Sequence, residues 1–145
     1  MSNFLIRAST ISSNLNSGIV LMFWNYIADL PTVPVYIEHC LIENNTAADG
    51  GGIFDGGSTA ADKSSGVQIT DSIIRHNTAS IDGGGVYFSG SRAPFIGTSI
   101  VENNTADDDG GGLYMLSGTA QNCLIRNNTC ADKGGGAVNG NHVNN

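Results

Sequence analysis

The chain has 145 residues, 20 of them Gly and 16 Asn, with 40% hydrophobic and 13% charged residues; that is room for one core, too apolar for disorder and poor in helix formers. Six basic against thirteen acidic residues leave a net charge of −7, which repels phosphate backbones and makes nucleic acid an unexpected partner. The longest apolar run, Ile19–Trp24, has six residues, far from the ~18 of a membrane span; the opening residues lack the marks of a signal peptide, and three Cys without metal spacing make no disulfide framework.

An internal repeat organises the chain. A degenerate copy opens it, Phe4-Leu-Ile-Arg-Ala-Ser-Thr10 followed by Gly18-Ile-Val20. The stretch Ile19–Leu30 holds neither Gly nor Pro and suits a helix as well as a second strand. Four regular copies follow: Cys40–Ile53, Ser72–Val86, Ser99–Leu113 and Cys123–Ala137. Each reads as a short apolar strand, an Asn-Thr corner, a Gly triplet, a second short strand and a variable return. Their Asn residues, Asn45, Asn77, Asn104 and Asn128, are 32, 27 and 24 apart. Gly triplets break helices, and the leucine-rich spacing is missing, so neither helical pairs nor a horseshoe fits. One copy suits one coil of a parallel β-helix with equivalent residues stacked ~4.8 Å apart. The expected fold is all-β, one β-solenoid domain of about five coils over 1–145: a degenerate first coil with a long loop (1–35), four regular coils (36–140) and a polar tail (141–145).

Stacking turns repeat positions into columns. Leu41, Ile73, Ile100 and Leu124 form one apolar column and Ile42, Ile74, Val101 and Ile125 the next; alternation lets only one of the two face the core, and either choice is open. Ile53, Val86 and Leu113 should point inward. The Asn column should bury its amides as a ladder, and the triplets should serve corners that need φ > 0 or close approach between coils. Arg7, Glu43, Arg75, Glu102 and Arg126 alternate in sign along one column, which would pair charges in this order of coils only. With Arg at both ends, head-to-tail stacking of copies would bring Arg126 against Arg7.

Gly50-Gly51-Gly52-Ile53, Gly83-Gly84-Gly85-Val86 and Gly110-Gly111-Gly112-Leu113 resemble the Gly-Gly-x-Ile motif of the polymorphic outer-membrane protein repeats of autotransporters. Ile42-x-x-Asn45, Ile74-x-x-Asn77, Val101-x-x-Asn104 and Ile125-x-x-Asn128 resemble its partner motif Phe-x-x-Asn, with an aliphatic residue in place of Phe. The resemblance covers roughly 36–140. It implies a right-handed, single-stranded parallel β-helix displayed outside the cell, often in adhesion.

Candidate sites follow the columns. Asp49, Asp82 and Asp109 precede the triplets, with Lys133 in the fourth copy, and Asp107-Asp108-Asp109 is dense. A turn role is expected for these acids; a cation site built on Asp82, Asp107 and Asp109 would take Ca²⁺, and no other cofactor is implied. Phe54, Tyr87 and Tyr114 form an outward aromatic column, with Trp24 and Tyr26 in the first long loop. These rings either cover the sheet or contact a glycan or protein partner. A single Thr column at a corner (Thr10, Thr46, Thr78, Thr105, Thr129) makes a poor ice-binding face. His39, His76 and His142 fall at unrelated repeat positions, and Cys40, Cys123 and Cys130 read as small core fillers. Asn44, Asn103 and Asn127 stand in Asn-x-Thr sequons generated by the repeat itself. The expected function is a non-catalytic extracellular module, adhesin-like or stalk-like, whose loops 25–34, 56–66 and 89–94 meet cell-surface glycans, other proteins or further copies. The rivals are a polysaccharide-cleaving fragment using Asp107 and Asp108, and a filament subunit.

Overall fold

The computed structural model describes residues 4–21, 34–56, 66–89, 93–138 and 141–143, the last three by backbone only. Every element among them is a strand. The first coil contributes β1 (Phe4–Arg7), β2 (Thr10–Ser12) and β3 (Ile19–Leu21). The second contributes β4 (Val35–Glu38), β5 (Leu41–Glu43), β6 (Thr46–Ala47) and β7 (Ile53–Asp55). The third repeats the set as β8 (Val67–Thr70), β9 (Ile73–Arg75), β10 (Thr78–Ala79) and β11 (Val86–Phe88). The fourth has β12 (Phe95–Gly97), β13 (Ile100–Glu102), β14 (Thr105–Ala106) and β15 (Leu113–Met115). The fifth has β16 (Thr119–Gln121), β17 (Leu124–Arg126) and β18 (Ala137–Val138), and β19 (Asn141–Val143) follows it.

Equivalent strands of successive coils pair in parallel, giving four sheets: β1-β4-β8-β12-β16-β19, β2-β5-β9-β13-β17, β6-β10-β14 and β3-β7-β11-β15-β18. The third spans the second to the fourth coil, and the other three span all five. The chain is a parallel β-helix, and each coil turns around one apolar core. Alternation within three-residue strands decides which side chains enter it. Ile42, Ile74 and Val101 are fully buried, whereas their neighbours Leu41, Ile73 and Ile100 lie half-buried on the outer face. That settles the choice between the two apolar columns. Ile53, Val86 and Leu113 are fully buried. The same sheet sends Leu21, Asp55, Phe88 and Met115 inward in one register column, so that one core position carries a carboxylate.

The corners explain the polar columns. Ala8, His39, Asp71, Thr98 and Asn122 all have φ between 47° and 54°. Each precedes a small hydroxyl or thiol that bonds back across the bend: Ser9, Ser72 and Ser99 donate to the carbonyls of Arg7, Thr70 and Gly97 at 2.8–2.9 Å. Cys40 and Cys123 do the same to Glu38 and Gln121 at 3.3 and 3.4 Å. These cysteines therefore fill the core edge and also satisfy a corner carbonyl. A second column of positive φ, Ser13, Asn44, His76, Asn103 and Asn127, turns the chain into the buried amides. There Asn45 Nδ2 donates to Asn77 Oδ1, Asn77 Nδ2 to Asn104 Oδ1 and Asn104 Nδ2 to Asn128 Oδ1, each at 3.0 Å. Each Oδ1 also accepts the preceding coil's backbone N–H, and each Nδ2 also donates to a carbonyl of that coil, as Asn77 does to Ile42. The Gly triplets use two different properties. Gly50, Gly83, Gly110 and Gly134 have positive φ. The other two face the coil above: a Cβ on Gly51 would stand 2.5 Å from Thr78 O, and one on Gly85 2.5 Å from Gly112 O.

The first coil departs from the expected register. Phe4–Arg7 pairs with Val35–Glu38, and it is Thr10–Ser12 that lies beside Leu41–Glu43. Arg7 thus leaves the alternating charge column and bonds Glu38 at 3.1 Å, while Thr10 leaves the Thr column and abuts Leu41. The likeness of Phe4-Leu-Ile-Arg7 to the later Leu-Ile-Arg is compositional, whereas backbone pairing is decided by where Ser9 and Asn14 fall. Ser12, not Arg7, underlies Glu43, so the Arg126–Arg7 clash does not arise. Ile19–Leu21 is a strand and not a helix; the rest of that stretch, with Trp24 and Tyr26, lies outside the described residues, as do most of the loops expected to meet a partner. The segment read as a polar tail supplies β19, which pairs with Thr119–Gln121.

Candidate functional site

Among the described residues, repeated aromatics and repeated acids adjoin on the face formed by the fourth sheet and the corner that precedes it. Phe54, Tyr87 and Tyr114 occupy one register column because their strands pair residue for residue. The rings stack on one another, with centroids 5.5 Å apart between Phe54 and Tyr87 and 4.9 Å between Tyr87 and Tyr114, and planes within 12°. Such offset stacks add ~0.5–1.5 kcal/mol per pair beyond burial. Stacking also takes up both faces of Tyr87. Only ring edges and hydroxyls point outward there, so a planar ligand can lie flat only at the ends of the column.

The acids beside the rings are spoken for by the backbone. Asp49 Oδ1 accepts the Asp82 N–H at 3.2 Å, Asp82 Oδ1 accepts that of Asp109 at 3.0 Å, and Asp109 Oδ1 that of Lys133 at 2.9 Å. Each carboxylate thus ties its coil to the next. Asp82 titrates above the usual carboxylate range: burial pushes it up, the Asp109 N–H opposes this, and Asp108, Asp49 and Asp109 add to the rise. Burial likewise raises Tyr114 and Tyr87. Asp82, Asp109, Asp49 and Asp108 reinforce the shift at Tyr114; at Tyr87 a hydrogen bond with Ser89 opposes it and Asp49 and Asp82 contribute. The carboxylates and the phenols therefore share one electrostatic neighbourhood.

Of the expected cation ligands Asp82, Asp107 and Asp109, only Asp109 joins a compact carboxylate group, and its companions are Asp108 and Asp132, with oxygens within 4.8 Å of one another. Asp107 is exposed and Asp82 is held in the backbone ties just described. Asp132 escaped sequence reasoning because it sits one place before Lys133, which it bonds at 3.1 Å. The Glu and Arg column closes as two pairs, Glu43–Arg75 and Glu102–Arg126, each at 2.7 Å. Thr46, Thr78, Thr105 and Thr129 stack outward on a narrow sheet, with 3.2 Å between the hydroxyls of Thr105 and Thr129. His39 and His76 occupy left-handed corners of two different columns.

A shallow cavity of about 210 Å³ opens where the aromatic column stops, lined by Asn16, Ser17, Val20, Ala47, Ala48, Asp49 and Phe54. Val20 is the register partner of Phe54, so the first coil places an aliphatic residue where the next three place rings. The repeat carries this signal in Gly18-Ile-Val20, aligned with Gly-Ile-Phe54, although nothing in the sequence marks a cavity there.

A family described as the right handed beta helix region matches residues 1–145. No curated protein and no solved structure matches the chain.

Proposed function

From the premise that this chain belongs to the right-handed β-helix family, we propose that it serves as a non-catalytic β-solenoid module of an extracellular or cell-surface protein, adhesin-like or stalk-like, akin to the polymorphic outer-membrane protein repeats. One observation carries this reading: the repeated acids already hold partners that stack the coils. Glu43 and Glu102 are paired with Arg75 and Arg126, and Asp49, Asp82 and Asp109 accept backbone N–H groups of the next coil. Polysaccharide cleavage needs carboxylates free to move protons or attack a sugar, or a Ca²⁺ cluster beside a base. Acids that repeat once per coil and bond the next coil's backbone serve length and rigidity instead. Such a rod presents its outer columns and its loops at fixed spacing to glycans or proteins.

The carbohydrate-cleaving alternative rests on Asp108, Asp109 and Asp132, which would be its Ca²⁺ ligands. Incubation with neutral and acidic polysaccharides, with and without added Ca²⁺, separates the two readings. The module reading expects no shortening of any chain and no unsaturated product. Cleavage that Ca²⁺ stimulates and Asp108→Asn abolishes would establish the alternative.

A further inference from the structure

We propose that the cavity at the lower end of the aromatic column is a binding site for a planar aromatic ring that carries a positive charge. This goes beyond the module reading and does not depend on it. Three observations converge on one place. The ring column Tyr114–Tyr87–Phe54 ends at Val20, and one side of the Phe54 ring is covered by Tyr87; a ring in the cavity would continue the column against the other side at the spacing the column already uses. The walls Val20, Ala47, Ala48 and Phe54 are apolar, Asn16 and Ser17 are polar, and the shallow volume of about 210 Å³ admits one small ring system. Among the described residues the charged group on the lining is the Asp49 carboxylate, whose Oδ1 accepts one backbone N–H, and neither Lys nor Arg joins it. Asp82 follows Asp49 in the same column, so the potential there favours cations. Four of the seven lining residues, Val20, Ala47, Ala48 and Phe54, are apolar, which favours an aromatic ring over a pyranose whose hydroxyls would outnumber the polar groups of Asn16, Ser17 and Asp49.

Calorimetric titration of the full chain with tryptamine, indole-3-acetate and oligomers of glucosamine tests the assignment. Saturable tryptamine binding, about tenfold tighter than indole-3-acetate, is expected. Val20→Tyr would extend the ring column into the cavity and abolish binding, with Ala48→Phe closing the same space from its exposed rim should the first variant not fold. Asp49→Asn keeps the acceptor for the Asp82 N–H and would erase the preference for the cation. No saturable binding, equal binding of the two indoles, binding that survives both cavity-filling variants, or binding of glucosamine oligomers alone would each overturn the proposal. None of these outcomes bears on whether the module cleaves polysaccharides.

Discussion

The first coil and the two coils in the middle follow the same path with unequal means. The third and fourth coils carry a full set of corner serine, buried Asn, Asp, Gly triplet and stacked ring, and Ile74, Val86, Val101 and Leu113 are completely buried. The first coil keeps Ser9, Asn14 and a lone Gly18, but its residues 10–20 hold no Asp, no Gly triplet and no ring, and Phe4, Leu5, Leu15 and Val20 are about half exposed or more. Yet its strands still pair in register with the second coil. Backbone hydrogen bonds to a neighbour are enough to make a coil; the repeated side chains make it stable from both sides. The same residue should therefore matter much more in the middle than at an end.

The largest test uses one glycine column in two places. A Cβ on Gly85 meets Gly112 O at 2.5 Å and Asn104 Nδ2 at 3.0 Å, whereas on Gly136 its nearest neighbour is Ile125 Cγ2 at an ordinary 3.4 Å. Gly85→Ala is expected to cost roughly 3 kcal/mol or more, because backbone cannot yield without separating coils, and Gly136→Ala less than about 1 kcal/mol, both read from urea unfolding. Equal losses would show that coil separation is set elsewhere.

Next comes the buried amide. Asn77 accepts from Asn45 and donates to Ile42 O and Asn104 Oδ1 inside the core, while exposed Asn14 gives its Nδ2 to Asn45. Asn77→Ala should cost about 3 kcal/mol, since it orphans several buried groups, against about 1 kcal/mol for Asn14→Ala. A smaller gain is expected at a corner. Thr98 is β-branched and sits at φ 47° on the surface, where the equivalent corner of the next coil uses Asn122 at φ 54°. Thr98→Asn should raise stability by up to ~1 kcal/mol, visible as a higher melting temperature.

The smallest effect sharpens the electrostatics of the aromatic face. The Asp82 carboxyl is raised in the folded chain by burial and by the neighbouring acids. Folding therefore favours its protonated form: its contribution is fully present below the ordinary carboxylate range and is lost as pH rises through the raised value. Asp82→Asn keeps the oxygen that accepts the Asp109 N–H and removes the charge. At pH 7 it should stabilise by roughly 0.5 kcal/mol after allowance for solvent screening. The advantage should shrink toward zero as pH falls below the carboxylate range, as measured by thermal melts across pH.

Much of this was legible because a solenoid writes its contacts into its period. Asn45, Asn77, Asn104 and Asn128 share a sequence position, so they share a column, and the same holds for Phe54, Tyr87 and Tyr114. Glu43 and Arg75 could be named as neighbours from spacing alone. Where the repeat decays, the reading failed by a whole strand: Arg7 looked like the start of the charge column and bonds Glu38 instead. Asp132 was passed over beside Lys133, and Val20 was not seen as the end of a ring column.

The order of units, the columns and the parallel stacking follow from the sequence by itself, because repeated residues at a constant place can satisfy their hydrogen bonds only against their own equivalents. Which of two adjacent apolar columns enters the core, which acids are tied to backbone and where a cavity opens were decided by the tertiary structure. A three-residue strand is too short for its alternation to fix its facing. That depends on the corner before it, and the corner's left-handed residue is Ala, His, Asp, Thr and Asn in successive coils, which no local pattern announces.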